Sequence, residues 1–148
     1  MEKDKTCKIV FSDIDGTLLT SDGQITEGTK EMILNLEKEG IPFILTSARS
    51  PEGVRVIKRM LGNHAPIIAF CGGLILDNDG NEIYSKMIPL KRALELKAML
   101  DKDFPAVACN TFGGEKWIVD DRDDWREQRE EKIVGFPAEI GAIKDIFE

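Results

Sequence analysis

Two carboxylates, Asp13 and Asp15, stand two residues apart directly after the apolar run Ile9-Val10-Phe11, with Gly16, Thr17 and Leu18 behind them. Paired acids at the end of a buried strand can hold a hard cation such as Mg²⁺, which prefers oxygen ligands. With such an ion offsetting charge, one carboxylate can attack phosphorus while the other handles a proton. Gly16 lets the chain turn out sharply. A second candidate group follows the run Phe43-Ile44-Leu45-Thr46: the hydroxyl of Ser47, and two residues on, Arg49. A hydroxyl just before a helix start suits an anion, because the orphan N–H groups there favour negative charge. Each feature alone also reads as a capped turn; the full run of strand, two acids and Gly-Thr-Leu favours chemistry.

These residues need strand ends to hold them. Residues 8–12 form a short continuous apolar run, as in a strand buried on both faces. Thr26 can cap a helix over 27–39, with Thr29, Ile33 and Leu36 on one face and Gly40 ending it. A second strand spans 41–46. Ser50 then caps a helix beginning with Pro51, with Val54, Ile57 and Leu61 on one face. A third strand covers 66–70. Alternating strands and helices at this spacing predict an α/β fold with a parallel, doubly wound sheet, whose ligands sit at the carboxyl ends of the strands.

After Phe70 the pattern changes. Segments 74–76 and 82–84 flank Asp77-Asn78-Asp79-Gly80 and read as a β-hairpin. Those four residues look like part of a calcium loop, but the later acidic ligand and spacing are absent, so they read as a turn. A helix at 90–100, strands near 106–110 and 116–119 around Gly113-Gly114, and a charged helix at about 124–132 follow. This divides the chain into a core over 1–83 and an α+β insertion over 84–148. No internal repeat is present.

The run Ile9 to Leu18 resembles the first motif of the haloacid dehalogenase superfamily of phosphohydrolases, hydrophobic residues followed by D-x-D-G-T-L. The resemblance implies that Asp13 is the phosphorylated nucleophile and Asp15 the general acid and base. It further implies that the Asp13 carboxylate and the Asp15 backbone carbonyl bind Mg²⁺. Ser47 matches the second motif, which donates a hydrogen bond to the transferring phosphoryl group; Arg49, Gly16 and Thr17 join it as phosphate-binding residues. Thr46-Ser47-Ala48-Arg49, Phe70-Cys71-Gly72-Gly73-Leu74-Ile75 and the hairpin leading into the insertion look like the Cof-type subgroup with its large C2B cap. Segments 111–119 and 131–135 are similar to the first half of that cap. The resemblance thus covers essentially the whole chain and implies an incomplete Rossmannoid core with a partial cap. The substrate it implies is a small phosphorylated metabolite such as a sugar phosphate.

Two departures follow from the same comparison of motifs. Cys71 stands where Cof-type proteins usually carry Asn, and a thiol hydrogen-bonds only weakly. The superfamily's lysine and its second acidic motif do not appear before Glu148, which falls within the expected cap, so the chain as it stands is expected to turn over little. A compact, capless alternative would use Asp120 and Asp121 as the metal motif, with Lys116 or Lys132 as the lysine. In the cap reading, residues 120–124 are a solvated turn and helix start. A binding or assembly module that keeps the fold without catalysis, and a receiver-like phosphoacceptor domain, are rivals of different classes. An uncovered sheet edge at the first strand would favour self-association.

Composition restricts the partners. The 148 residues carry a formal net charge of -7, which disfavours nucleic acid and anionic membrane, since phosphate backbones reward clustered Lys and Arg. No apolar run approaches a membrane span. The charged start, residues 1–5, lacks the apolar region of a signal peptide, so the expected location is cytoplasmic. Cys7, Cys71 and Cys109 are an odd set without a C-x-x-C pair and read as reduced thiols. His64, the single histidine, lies in a polar turn and is assigned no role in catalysis.

Overall fold

The computed structural model describes residues 7–146; the charged start on which the signal-peptide argument rests lies outside them. Two compact units meet between Ser85 and Lys86. In the first, β1 (Val10–Ser12), α1 (Glu27–Lys38), β2 (Phe43–Thr46), α2 (Pro51–Leu61), β3 (Ile67–Ala69), β4 (Leu74–Leu76) and β5 (Glu82–Ser85) succeed one another. The sheet runs in that same order, β1 to β5. β1, β2 and β3 pair in parallel, and β3, β4 and β5 pair antiparallel.

Each helix ends where its sequence dictates. The Thr26 hydroxyl accepts from the Thr29 N–H at 3.2 Å and caps α1. Ser50 caps α2 with Pro51 at the first helical position, and Gly62, in the left-handed region at φ 71°, closes it. Ile33 of α1 and Val54, Ile57 and Leu61 of α2 share one apolar cluster with Phe43, Leu45, Ile67, Ala69, Leu74 and Leu76. Both helices therefore cover the same face, as right-handed crossovers between successively adjacent strands require. Burying each such aliphatic side chain stabilises the unit by roughly 1.5–3 kcal/mol.

Two expectations change here. Among the described residues the strand order never reverses, so the double winding read from the sequence is not found in them. β1 is also not buried on both faces: Phe11 is 56% exposed and Ile9 44%. Among the described residues β1 pairs with β2 alone, and a continuous apolar run cannot distinguish an edge position from a central one. The 77–80 segment is a turn. The Asp77 carboxylate accepts from the Asp79 and Asn81 N–H groups and from Asn81 Nδ2, at 2.8–2.9 Å, and Gly80 adopts φ 89°.

The second unit holds α3 (Leu90–Asp103), β6 (Thr111–Gly113), β7 (Lys116–Val119), α4 (Trp125–Val134), β8 (Glu139–Ile140) and a 3-10 turn at Ile143–Ile146. The strand expected over 106–110 is a loop. β6 instead pairs directly with β7, Gly113 opposite Lys116, through the two-residue turn Gly114-Glu115. Gly114, at φ 56°, is what lets the strands join so tightly. Trp117 anchors the core, stacked on Phe112 at 5.2 Å and edge-on to Phe136 at 5.3 Å. No helix among the described residues is long and apolar enough to cross a membrane.

Candidate active site

β1 and β2 run side by side with Ser12 opposite Leu45, so the residues just beyond each strand emerge from the same end of the sheet. Continuing that register, Asp13 is level with Thr46, and Ser47 lies one residue further along. Asp13 follows β1 and Ser47 follows β2. Ile14, fully buried, is the anchor between the two acids; Asp13 and Asp15 on either side of it are exposed. The chain then tightens into a turn in which Leu18 and Leu19 N–H groups both bond the Ile14 carbonyl, and Gly16 takes φ 73°. Gly16 and Thr17 lie exposed on this turn.

Asp13 Oδ1 accepts the Ile14 N–H at 2.8 Å, and Oδ2 has no hydrogen-bond partner among the described residues. Asp15 is engaged differently. The Arg49 guanidinium grips it with both arms, Nε to Oδ2 at 2.9 Å and Nη2 to Oδ1 at 2.7 Å. Sequence reasoning placed Arg49 near phosphate but missed this pairing, which joins residues 34 positions apart. The arginine stem rests on the first turn of α2, where a Cβ at position 53 would lie 3.2 Å from Arg49 Cβ; Gly53 leaves the room.

Ser47 is 5% exposed. Its N–H donates to the Ile68 carbonyl at 3.0 Å, its carbonyl accepts the Cys71 N–H at 2.9 Å, and its hydroxyl oxygen accepts the Arg49 N–H at 3.2 Å. The Phe70 N–H donates to the Arg49 carbonyl at 3.0 Å. The loops after β2 and β3 are thus stitched together by main-chain bonds. Holding that seam places Phe70 and Cys71 at φ 50° and 54°, in the left-handed region that side chains seldom adopt. The Phe-Cys-Gly-Gly sequence gave only its glycines as a hint of this.

The donors suit a hard cation. Asp13 Oδ2 and the Asp15 carbonyl, which accepts no main-chain bond among the described residues, are hard oxygen atoms that could take a cation. No group of three or more His, Cys, Asp or Glu that could hold a metal occurs among the described residues. Mg²⁺ fits such a sparse set, because it keeps several waters and takes substrate phosphate oxygens alongside one or two carboxylates. Asp120 and Asp121 are occupied elsewhere: Asp120 pairs with Lys97 at 2.8 Å, and Asp121 accepts the Asp123 N–H at 2.8 Å. These contacts fit the turn reading of that segment, and the clamp by Lys97 between Asp101 and Asp120 carried no signal in the sequence.

A family model for haloacid dehalogenase-like hydrolases matches residues 10–144. A Haemophilus influenzae protein named "Putative phosphatase" is 36% identical over 124 residues, covering 78% of this chain and 47% of the relative. A phosphoglycolate phosphatase of Thermoplasma volcanium is 36% identical over 74 residues, covering 50% of this chain and 33% of the relative. Among solved structures, a haloacid dehalogenase-like hydrolase from Bacteroides thetaiotaomicron aligns with TM-score 0.82 at 20% identity, over 92% of this chain and 52% of the other. A subclass IIB sugar phosphatase aligns with TM-score 0.71 at 18% identity, over 94% and 54%. The chain spans about half the length, or less, of the curated relatives it matches.

Proposed function

The chain belongs to the haloacid dehalogenase-like hydrolases, and from that premise we propose that it carries the nucleophile-bearing part of a Mg²⁺-dependent phosphatase of small phosphorylated metabolites. One observation carries the reading: Asp13 leaves β1 with a carboxylate oxygen that has no hydrogen-bond partner among the described residues, at the same end of the sheet as the buried Ser47 beyond the neighbouring parallel strand.

In this reading Asp13 Oδ2 attacks phosphorus, forming an aspartyl phosphate as the bond to the leaving oxygen breaks. Asp15 gives that oxygen its proton and then takes one from the water that releases phosphate. The Asp13 carboxylate and the Asp15 carbonyl would hold Mg²⁺, which when bound would offset the charge of the phosphoryl oxygens. The Ser47 hydroxyl donates to a phosphoryl oxygen, and the turn at Gly16 and Thr17 closes around the group. Arg49, forked on Asp15, orients that carboxylate and offers the incoming phosphate a neighbouring cation. The names of two similar proteins, for phosphoglycolate and sugar phosphates, support the substrate class. A cytoplasmic setting accords with the three free cysteines.

Beryllium fluoride tests the nucleophile without requiring turnover, because it caps an aspartate as a phosphoryl mimic. With Mg²⁺, ¹⁹F NMR should show a bound signal that Asp13→Asn abolishes. A bound signal that survives Asp13→Asn, or none at all in the unmodified chain, refutes the assignment. Hydrolysis of an aryl phosphate in the presence and absence of Mg²⁺ then separates an enzyme from a binding module.

A further inference from the structure

In the second unit, Trp125, Arg129 and Ile133 recur along α4 at the spacing of one helix row. All three are exposed, Trp125 at 68%. Glu130 adjoins Arg129 in the next row. Apolar side chains continue off the helix. The turn from Phe104 to Val107, closed by the Val107 N–H on the Phe104 carbonyl at 3.0 Å, leaves both of those side chains exposed. Arg126 ties that turn to α4: its Nη1 donates to the Ala106 carbonyl while its Nε and Nη2 hold Asp124. Val107 and Trp125 thereby border one hollow of about 310 Å³, with Arg129 and Glu130 also lining it. Asn110 in its lining is fixed, donating to Glu127 Oε1 at 3.0 Å and accepting from Trp117 Nε1 at 2.6 Å. Trp and Arg on a rigid, partly apolar face are the residue types that anchor protein–protein contacts.

The charges on this face select its occupant. Arg126 and Glu131 are paired, with Asp124 and Arg122 respectively. Arg129 and Glu130 enter no ion pair among the described residues. As neighbours in sequence they point in different directions round the helix and do not face each other. Glu130 is also close enough to the buried Glu127 for the two like charges to repel. An acidic partner would answer only Arg129, and a basic one only Glu130. A second copy answers both: a two-fold axis crossing α4 between them sets each Arg129 against the Glu130 of the other copy, an isologous contact. The same axis brings residues 125 and 126 of one copy level with 133 and 134 of the other, so that exposed Trp125 meets exposed Ile133 twice.

We propose that this face joins two copies of the chain, α4 packed antiparallel on α4, through reciprocal Arg129 to Glu130 ion pairs flanked by Trp125 and Ile133. α4 has 10 residues and is about 15 Å long, so the contact falls at the small end of specific interfaces. The dimer is accordingly weak, with a Kd on the order of tens of micromolar. The face is distinct from the β1 edge, and the inference does not depend on the activity proposed above.

Sedimentation equilibrium of the whole chain from about 1 µM to 1 mM should show a reversible equilibrium of monomer and dimer. Tryptophan emission should shift to the blue over the same range, as the Trp125 ring leaves water; Trp117 is already buried. Arg129→Glu and, separately, Glu130→Arg should each weaken association about tenfold or more, because each sets like charges against one another at both pairs. Combining the two substitutions restores opposite charges and should restore the dimer, a recovery that general damage to the fold would not give. Asp13→Asn should leave association unchanged. A chain that is monomeric throughout, a dimer indifferent to the single substitutions, or a double variant as weak as the single ones overturns the proposal. So does a dimer abolished by Phe11→Lys but untouched by changes at α4, which would place the contact at the β1 edge.

Discussion

The grip of Arg49 on Asp15 can be measured directly. The Arg49 side chain is 12% exposed and that of Asp15 57%, so the pair sits between two regimes. Exposed pairs contribute roughly 0.2–1 kcal/mol, whereas stranding a fully buried charge costs about 3–5 kcal/mol. Arg49→Met keeps the aliphatic stem against α2 and returns Asp15 to water, and should cost about 1 kcal/mol. Asp15→Asn leaves a mostly buried guanidinium with a neutral partner and should cost more, roughly 2 kcal/mol. The double variant should reveal a coupling on the order of 1 kcal/mol. In urea, such losses lower the midpoint by about 0.5–1 M. The assay must report on the first unit. Both tryptophans, Trp117 and Trp125, lie in the second, so far-UV circular dichroism with amide hydrogen exchange at Ile14 and Leu45 is the suitable readout. A coupling near zero, or a greater loss from Arg49→Met than from Asp15→Asn, would refute the reasoning: the first means no pair in solution, the second a guanidinium that is not buried.

Cys71 holds φ 54°, where a side chain other than Asn or Gly costs about 1–2 kcal/mol, so Cys71→Asn should raise stability by about 1 kcal/mol in the same urea assay. Burial lifts the Glu127 carboxyl above its ordinary value of 4.5, although its Oε1 accepts from Asn110 Nδ2 at 3.0 Å; Oε2 is buried without a hydrogen-bond partner among the described residues. A group whose folded value is raised contributes stability that is full below 4.5 and lost as pH climbs through the folded value. The second unit, followed by tryptophan fluorescence, should therefore weaken as pH rises from 4.5 towards neutrality, and Glu127→Gln should flatten that slope.

Local chemistry was legible and long-range pairing was not. The Ser50-Pro51 helix start, the 77–80 turn and the hairpin around it are each fixed by a few adjacent residues, and they stand as read. The placement of two acids where an apolar run ends was equally visible, because strand, turn and glycine are contiguous. What the acids touch was hidden: Asp15 meets an arginine brought back by an intervening helix and strand. The edge position of β1 depends on which strands pair, which no window along Ile9-Val10-Phe11 contains. The shift of β6 to Thr111–Gly113 arose because Gly114 closes a two-residue turn, so strand position followed turn geometry rather than apolar content.

The seam between the loops after β2 and β3 is built from main-chain groups: Phe70 to Arg49, and Cys71 to Ser47. Such bonds are indifferent to side-chain identity. Point substitutions at 47, 49 or 71 can therefore re-specify the chemistry while the two loops stay aligned. An insertion or deletion of one residue in either loop would put donor and acceptor out of step. Variation in this region should be tolerated as exchange of letters but not as change of length, and transplanting the site onto another scaffold requires moving both loops as a pair.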